Sequence, residues 1–209
     1  MKKSTSLSSI IIQRFLLKFC IETINKVPLR NEEENHISEI SKEELSFASK
    51  FELVISLLNT LYSLHISQKQ KIVDFILENK DSIIQALSKG LESSFLLNKL
   101  KGAKLFRVLC QNEFFTLDEM KGILSFIRQE YRKQKGNLEF VRDLLLEILE
   151  ISKKFPYQVH EVFKNDVEVQ YNDFASLRTD TSTEQDLCAA QSSLGNTVEM
   201  FFAELEIFC

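Results

Sequence analysis

The chain has 209 residues, 44% hydrophobic and 27% charged with a formal net charge of −4, which excludes the disordered class. A chain of this length buries about 70% of its unfolded surface and needs neither a structural metal nor disulfides to fold. Five Gly and two Pro are too few for the turns of a sheet protein or the phosphate loops of a nucleotide enzyme, so long helices with short connections are expected.

The first stretch, MKKSTSLSSIIIQRFLLKFCIETI, carries Lys2, Lys3, Arg14 and Lys18 and no acid before Glu22. Gln13, Arg14 and Lys18 interrupt its apolar run, so it is neither a signal-peptide core nor a membrane span. It reads as a structural helix near 8–26 capped by Ser8 or Ser9. Its Ser-rich, acid-poor, amphipathic character also fits a mitochondrial presequence. Apolar around most of its circumference from Ile10 to Ile24, the helix is expected to be covered on more than one side.

Residues 28–40 form a linker. A capping box, Ser41-Lys-Glu-Glu44, then opens a helix near 42–65, apolar on a wide face through Val54, Ile55, Leu57, Leu58 and Leu61. Ser67 with Gln70 predicts the start of a helix over 68–79, and Asp81 that of a helix over 82–89. Gly90 follows as a left-handed C′ residue. The helix near 91–111 holds many large apolar side chains together with Lys99, Lys101, Lys104 and Arg107. The apolar residues are expected to bury on both sides while the cations keep their heads in water. Gly102 costs about 1 kcal/mol inside a helix, acceptable where a neighbouring backbone must approach closely.

Thr116-Leu-Asp-Glu119 is a third capping box, opening a helix near 117–134 with Met120, Ile123, Leu124, Ile127 and Tyr131 on one face. Gly136 stops it and Asn137 caps the next, near 138–154, whose apolar face from Leu138 to Ile151 is again wide. Pro156 closes that segment and residues 156–183 read as a second linker. Within it VEVQY (Val167, Val169, Tyr171) alternates like a strand with nothing evident to pair with. A helix near 184–194, a stop at Gly195 and a last helix near 197–208 capped by Asn196 complete the chain.

The fold class is therefore all-α: stacked antiparallel helix pairs, α-solenoid-like, with a less regular acidic C-terminal segment. The expected division is a helical-repeat-like domain over 1–156 and an acidic segment over 157–209, packed on the same domain. With short connections and wide apolar faces across about 42–154, the chain resembles the HEAT and armadillo helical-repeat proteins, and in size the MIF4G-type domains. The resemblance implies a stacked superhelix and carries no functional residues over.

Charge is uneven. Residues 1–156 hold 24 Lys/Arg against 20 Asp/Glu, a net +4, and residues 157–209 hold 2 against 10, a net −8. Lys121, Arg128, Arg132 and Lys135 line one helix, and Lys101 and Lys104 extend the line into a patch if the preceding helix stacks beside it. Such a patch would dock RNA phosphates or an acidic partner protein. As plain solvated surface it would be neutralised by Asp143, Glu147 and Glu150 on the next helix. At the other end, Val198, Phe201, Phe202, Leu205 and Phe208 share one face of an amphipathic helix. It either lies in a partner's groove or packs back as the cap of its own domain.

No residues were found to carry catalysis. His160-Glu161 opens like a zinc-protease motif, but Lys164 stands where the second His belongs. Asp180, Ser182, Glu184 and Asp186 alternate like a calcium loop, but Gln185 and Gln191 occupy the positions of its Gly and Glu. No glycine loop, nucleophile elbow or dinucleotide fingerprint is present. Cys20, Cys110, Cys188 and Cys209 are scattered, as expected of reduced thiols in the cytoplasm or nucleus. The expectation is an interaction scaffold or adaptor without catalysis, metal, cofactor or membrane span, with an RNA-associated module as the alternative.

Overall fold

The structure, a computed structural model, describes residues 7–27, 42–63, 66–177, 195–200 and 203. The elements in order are α1 (Leu7–Lys26), α2 (Lys42–Tyr62), α3 (Ile66–Glu78), α4 (Lys80–Leu91), α5 (Leu96–Gln111), α6 (Leu117–Lys133), α7 (Leu138–Ser152) and α8 (Pro156–Leu177). Residues 195–200 are helical too, and no strand occurs among the described residues. The fold is all-α. The chain separates into two compact units, Met1–Asn112 and Glu113–Cys209.

In the first unit α1 packs on α2 and α4 packs on α5, and these pairs meet α1 on α4 and α2 on α5. Leu17, Ile24, Phe51, Leu58, Leu61, Ile83 and Phe106 are fully buried. Phe47 and Phe51 contact edge to face with centroids 5.2 Å apart. As the spacing of α5 demanded, its burial runs round the helix, through Ala103, Leu105, Phe106, Val108, Leu109 and Cys110.

Two glycines set the crossing of α4 with α5. A Cβ on Gly90 would lie 2.8 Å from Phe51 Cζ and 3.1 Å from Gly102 Cα, and one on Gly102 would lie 2.9 Å from the Leu91 nitrogen. The close approach expected at Gly102 is thus made, and its partner is Gly90. Gly90 is a buried residue inside α4 instead of a left-handed stop. Gly136 is not left-handed either: among the described residues the positive φ falls on Glu113, at 58°.

Helix starts follow local chemistry where a side chain can serve the free amides. Thr116 Oγ1 accepts from the Glu119 amide at 3.3 Å while Glu119 Oε2 accepts from the Thr116 amide at 2.8 Å, a complete capping box. Asn137 Oδ1 accepts from the Phe140 amide at 3.1 Å. Elsewhere the predicted caps shift. α4 is entered from Asn79, so Asp81 lies in its first turn. α3 begins at Ile66, ahead of Ser67, and Gly195 and Asn196 lie within a helical stretch. Ser41, the 28–40 linker and the 184–194 helix lie outside the described residues.

The largest correction concerns the expected 156–183 linker, over its described part, 156–177. Pro156 opens α8 instead of closing α7, and its missing N–H is harmless in a first helical turn. The VEVQY stretch is helical. In the second unit α8 packs on both α6 and α7. Val159 and Phe163 are fully buried, with the Phe163 ring edge to face against Tyr131 at 6.3 Å. α8 also brings Glu161 and Asp166 to the cations of α6.

Candidate interaction surfaces

The predicted cations lie in different units, and nearly all of them meet a carboxylate of their own unit. In the first, Lys101 and Lys104 of α5 both reach Glu52 of α2, the latter at 3.2 Å. The hydrogen bond from Lys101 leads the effects that hold the Glu52 carboxyl below its ordinary value, against an opposing push from burial. Lys99, expected at the surface, is buried. In the second unit Asp166 of α8, itself buried, accepts from Arg128 Nε and, at 2.8 Å, from Arg132 Nε. Lys121 meets Glu161 at 2.8 Å, and that hydrogen bond raises the lysine's pKa. Lys135 is exposed.

Two of the three acids expected to neutralise the line have other partners: Asp143 pairs with Arg142 at 2.7 Å, and Glu150 pairs with Lys153. The neutralising carboxylates come instead from α2 and α8. A linker over 156–183 offers no reason to expect Asp166 as a partner. Its signal was present all the same, because Val159, Phe163 and Asp166 fall at i, i+4 and i+7 on one helical face.

The tail face is described only at its start. Val198 is fully buried and Thr197 nearly so, while Met200 is exposed. Phe201, Phe202, Leu205 and Phe208 lie outside the described side chains.

Among the described residues no group of three or more His, Cys, Asp or Glu is placed to hold a metal ion. Cys20 and Cys110 are buried thiols outside any disulfide. Burial pushes the Cys20 thiol up, which lowers its thiolate fraction and hence its nucleophilicity. No described helix is long and apolar enough to cross a membrane.

The surface that sequence reasoning missed is the outer side of α1. Ile10, Leu17, Cys20, Ile21 and Ile24 are buried, but Phe15 is 70% exposed, Ile11 60%, Phe19 58% and Ile12 57%. The expectation that this helix is covered on more than one side is overturned. Its inner face meets α2 and α4, and its outer face presents a row of large apolar side chains roughly 12 Å long, at 1.5 Å per helical residue. The helix beneath the row is tied down. Lys89 Nζ of α4 donates to the carbonyls of Asn25 and Val27, closing its C-terminal end. Arg14 donates to the Lys71 carbonyl of α3 and stands 5.1 Å over the Phe75 ring. Asn25 Nδ2 adds a bond to the Ser82 carbonyl at 2.9 Å.

Contiguous exposed apolar side chains of this size mark an interaction site in a folded protein, whereas single ones do not. The row and the internally paired cations divide the chemistry of the surface: one can bury against a partner, the other has spent most of its charge at home. No family model matches the chain, and no curated protein or solved structure matches it either.

Proposed function

We propose that the chain is a non-catalytic adaptor that binds another protein through a helix face, and that this face is the outer row of α1. The observation that carries the proposal is the exposure of Ile11, Ile12, Phe15 and Phe19 on a helix whose opposite side is buried. A preformed apolar ridge binds without first ordering itself, which lowers the entropic cost of association. The pairing of α1 with α2 and of α4 with α5 supports, as a further part of the proposal, a helical-repeat architecture of the HEAT or armadillo kind. The buried Cys20 thiol, outside any disulfide, suits a reducing compartment.

An RNA-associated role through the cationic line has less support. Arg128, Arg132, Lys121, Lys101 and Lys104 already face carboxylates, and phosphates would have to displace them.

The test compares proteins retained from native extract by the wild-type chain and by a Phe15→Glu/Phe19→Glu variant with the same melting temperature. A retained protein that is lost with the variant, and that binds the purified wild-type chain directly, supports the proposal. An unchanged set of retained proteins overturns it. RNA binding that weakens steeply with salt and is reduced by Lys135→Glu, but not by the α1 substitutions, would turn the assignment to RNA.

A further inference from the structure

Resting on the docking role of α1 proposed above, we infer that the partner presents an amphipathic helix, laid along α1, whose apolar seam is flanked mainly by acidic residues. The spacing specifies a helix. Ile12, Phe15 and Phe19 recur at intervals of three and four, with Ile11 and Leu16 beside them, and all five are exposed. Residues at that spacing form a ridge that fits the groove of another helix.

Charge specifies the flanks. From residue 1 to residue 21 the ionisable side chains outside the thiol are Lys2, Lys3, Arg14 and Lys18, all cationic. Residues 1–112 together hold 16 Lys/Arg against 12 Asp/Glu. Arg14 is committed to α3, whereas Lys18 is exposed beside the row. Carboxylates on the incoming helix complement Lys18 and, further along the same side, Lys26.

Glu22 sets the one opposite demand. It is exposed, three residues beyond Phe19 on the same line, and Lys26 follows at the next turn. An anionic bilayer would repel Glu22 over its whole area, whereas a helix can set a single cation across from it. The ridge is also only about two turns long, a better match to one helix than to a lipid surface.

The experiment uses the full chain and two synthetic helical peptides that share one Leu seam at three–four spacing and differ only in their flanks, Glu in one and Lys in the other. Binding is read by fluorescence anisotropy at low and high salt, beside sedimentation with phosphatidylcholine vesicles containing phosphatidylserine. The expected result is that the Glu peptide binds about tenfold tighter than the Lys peptide at low salt. Phe15→Glu should remove that binding, and Lys18→Glu should narrow the difference.

Equal affinity for both peptides, lost on Phe15→Glu, would overturn the acidic partner while leaving the α1 docking face in place. Peptide binding indifferent to Phe15→Glu would overturn both. Vesicle binding in the absence of peptide binding would make the face a lipid-binding surface and overturn the helical partner, as would failure of both peptides to bind.

Discussion

Gly102 and Gly122 both sit inside helices, yet their surroundings oppose each other. A methyl group on Gly102 would press on the Leu91 nitrogen at 2.9 Å, whereas one on Gly122 would meet nothing within 4 Å. Gly102→Ala should therefore destabilise the protein by about 1–3 kcal/mol, as overpacking does. Gly122→Ala should stabilise it by about 0.4–1 kcal/mol by restricting the unfolded chain. Urea denaturation of the two variants beside wild type checks both signs. Glu52 makes a pH-dependent prediction. Its pKa is lowered by the lysines of α5, so its contribution is present above the unfolded carboxyl value of about 4.3 and is lost as pH falls through the folded value. Melting temperatures across the acid range should fall less steeply for Glu52→Gln, at a neutral-pH cost of no more than about 1 kcal/mol for so accessible a pair. The possible role of Gly102 was legible in the sequence because an interior helical glycine needs a reason. Its partner was not, since Gly90 at the end of an apolar run looks the same as a left-handed stop.

At the scale of elements, α8 is held on α6 by one carboxylate serving two arginines. Asp166→Ala removes both charge-assisted bonds and leaves Arg128 and Arg132 facing each other, with an expected loss of about 1.5–3 kcal/mol. Hydrogen exchange should quicken in α8 before it does in α7. If exchange in α8 stays at the wild-type rate, the clamp is ornamental and Val159, Phe163 and the Lys121–Glu161 pair seat the helix. Thr116→Ala, which removes the capping box of α6, should cost about 1 kcal/mol by the same denaturation assay. The difference in legibility between these two helices is physical. A capping box is a local arrangement within four residues, so Thr116 announced α6. The start of α8 rests on Pro156, which suits the first turn of one helix as well as the end of the one before. Its middle, VEVQY, alternates Val167, Val169 and Tyr171 as a strand would, and strand preference of that kind yields to context in a helix whose earlier turns bury Val159 and Phe163.

For the whole molecule, the division after Asn112 predicts unfolding that is not a single all-or-none step. Gly102→Ala should move the transition of the first unit and Asp166→Ala that of the second, as fluorescence from a tryptophan introduced into each unit would resolve. One transition shifted alike by both substitutions would show a single cooperative body. The all-α class was plain from the few Gly and Pro and the three–four apolar spacing. The exposed side of α1 was not, because a helix that is apolar all round carries no mark telling a face meant for its own core from one meant for another molecule. The glycine contact between α4 and α5 has one more consequence. A slide of α5 by one turn would bring Asn98 or Phe106 to the place of Gly102, and neither can fit where main chain already touches main chain. The crossing thus acts as a pin that fixes the two rods lengthwise.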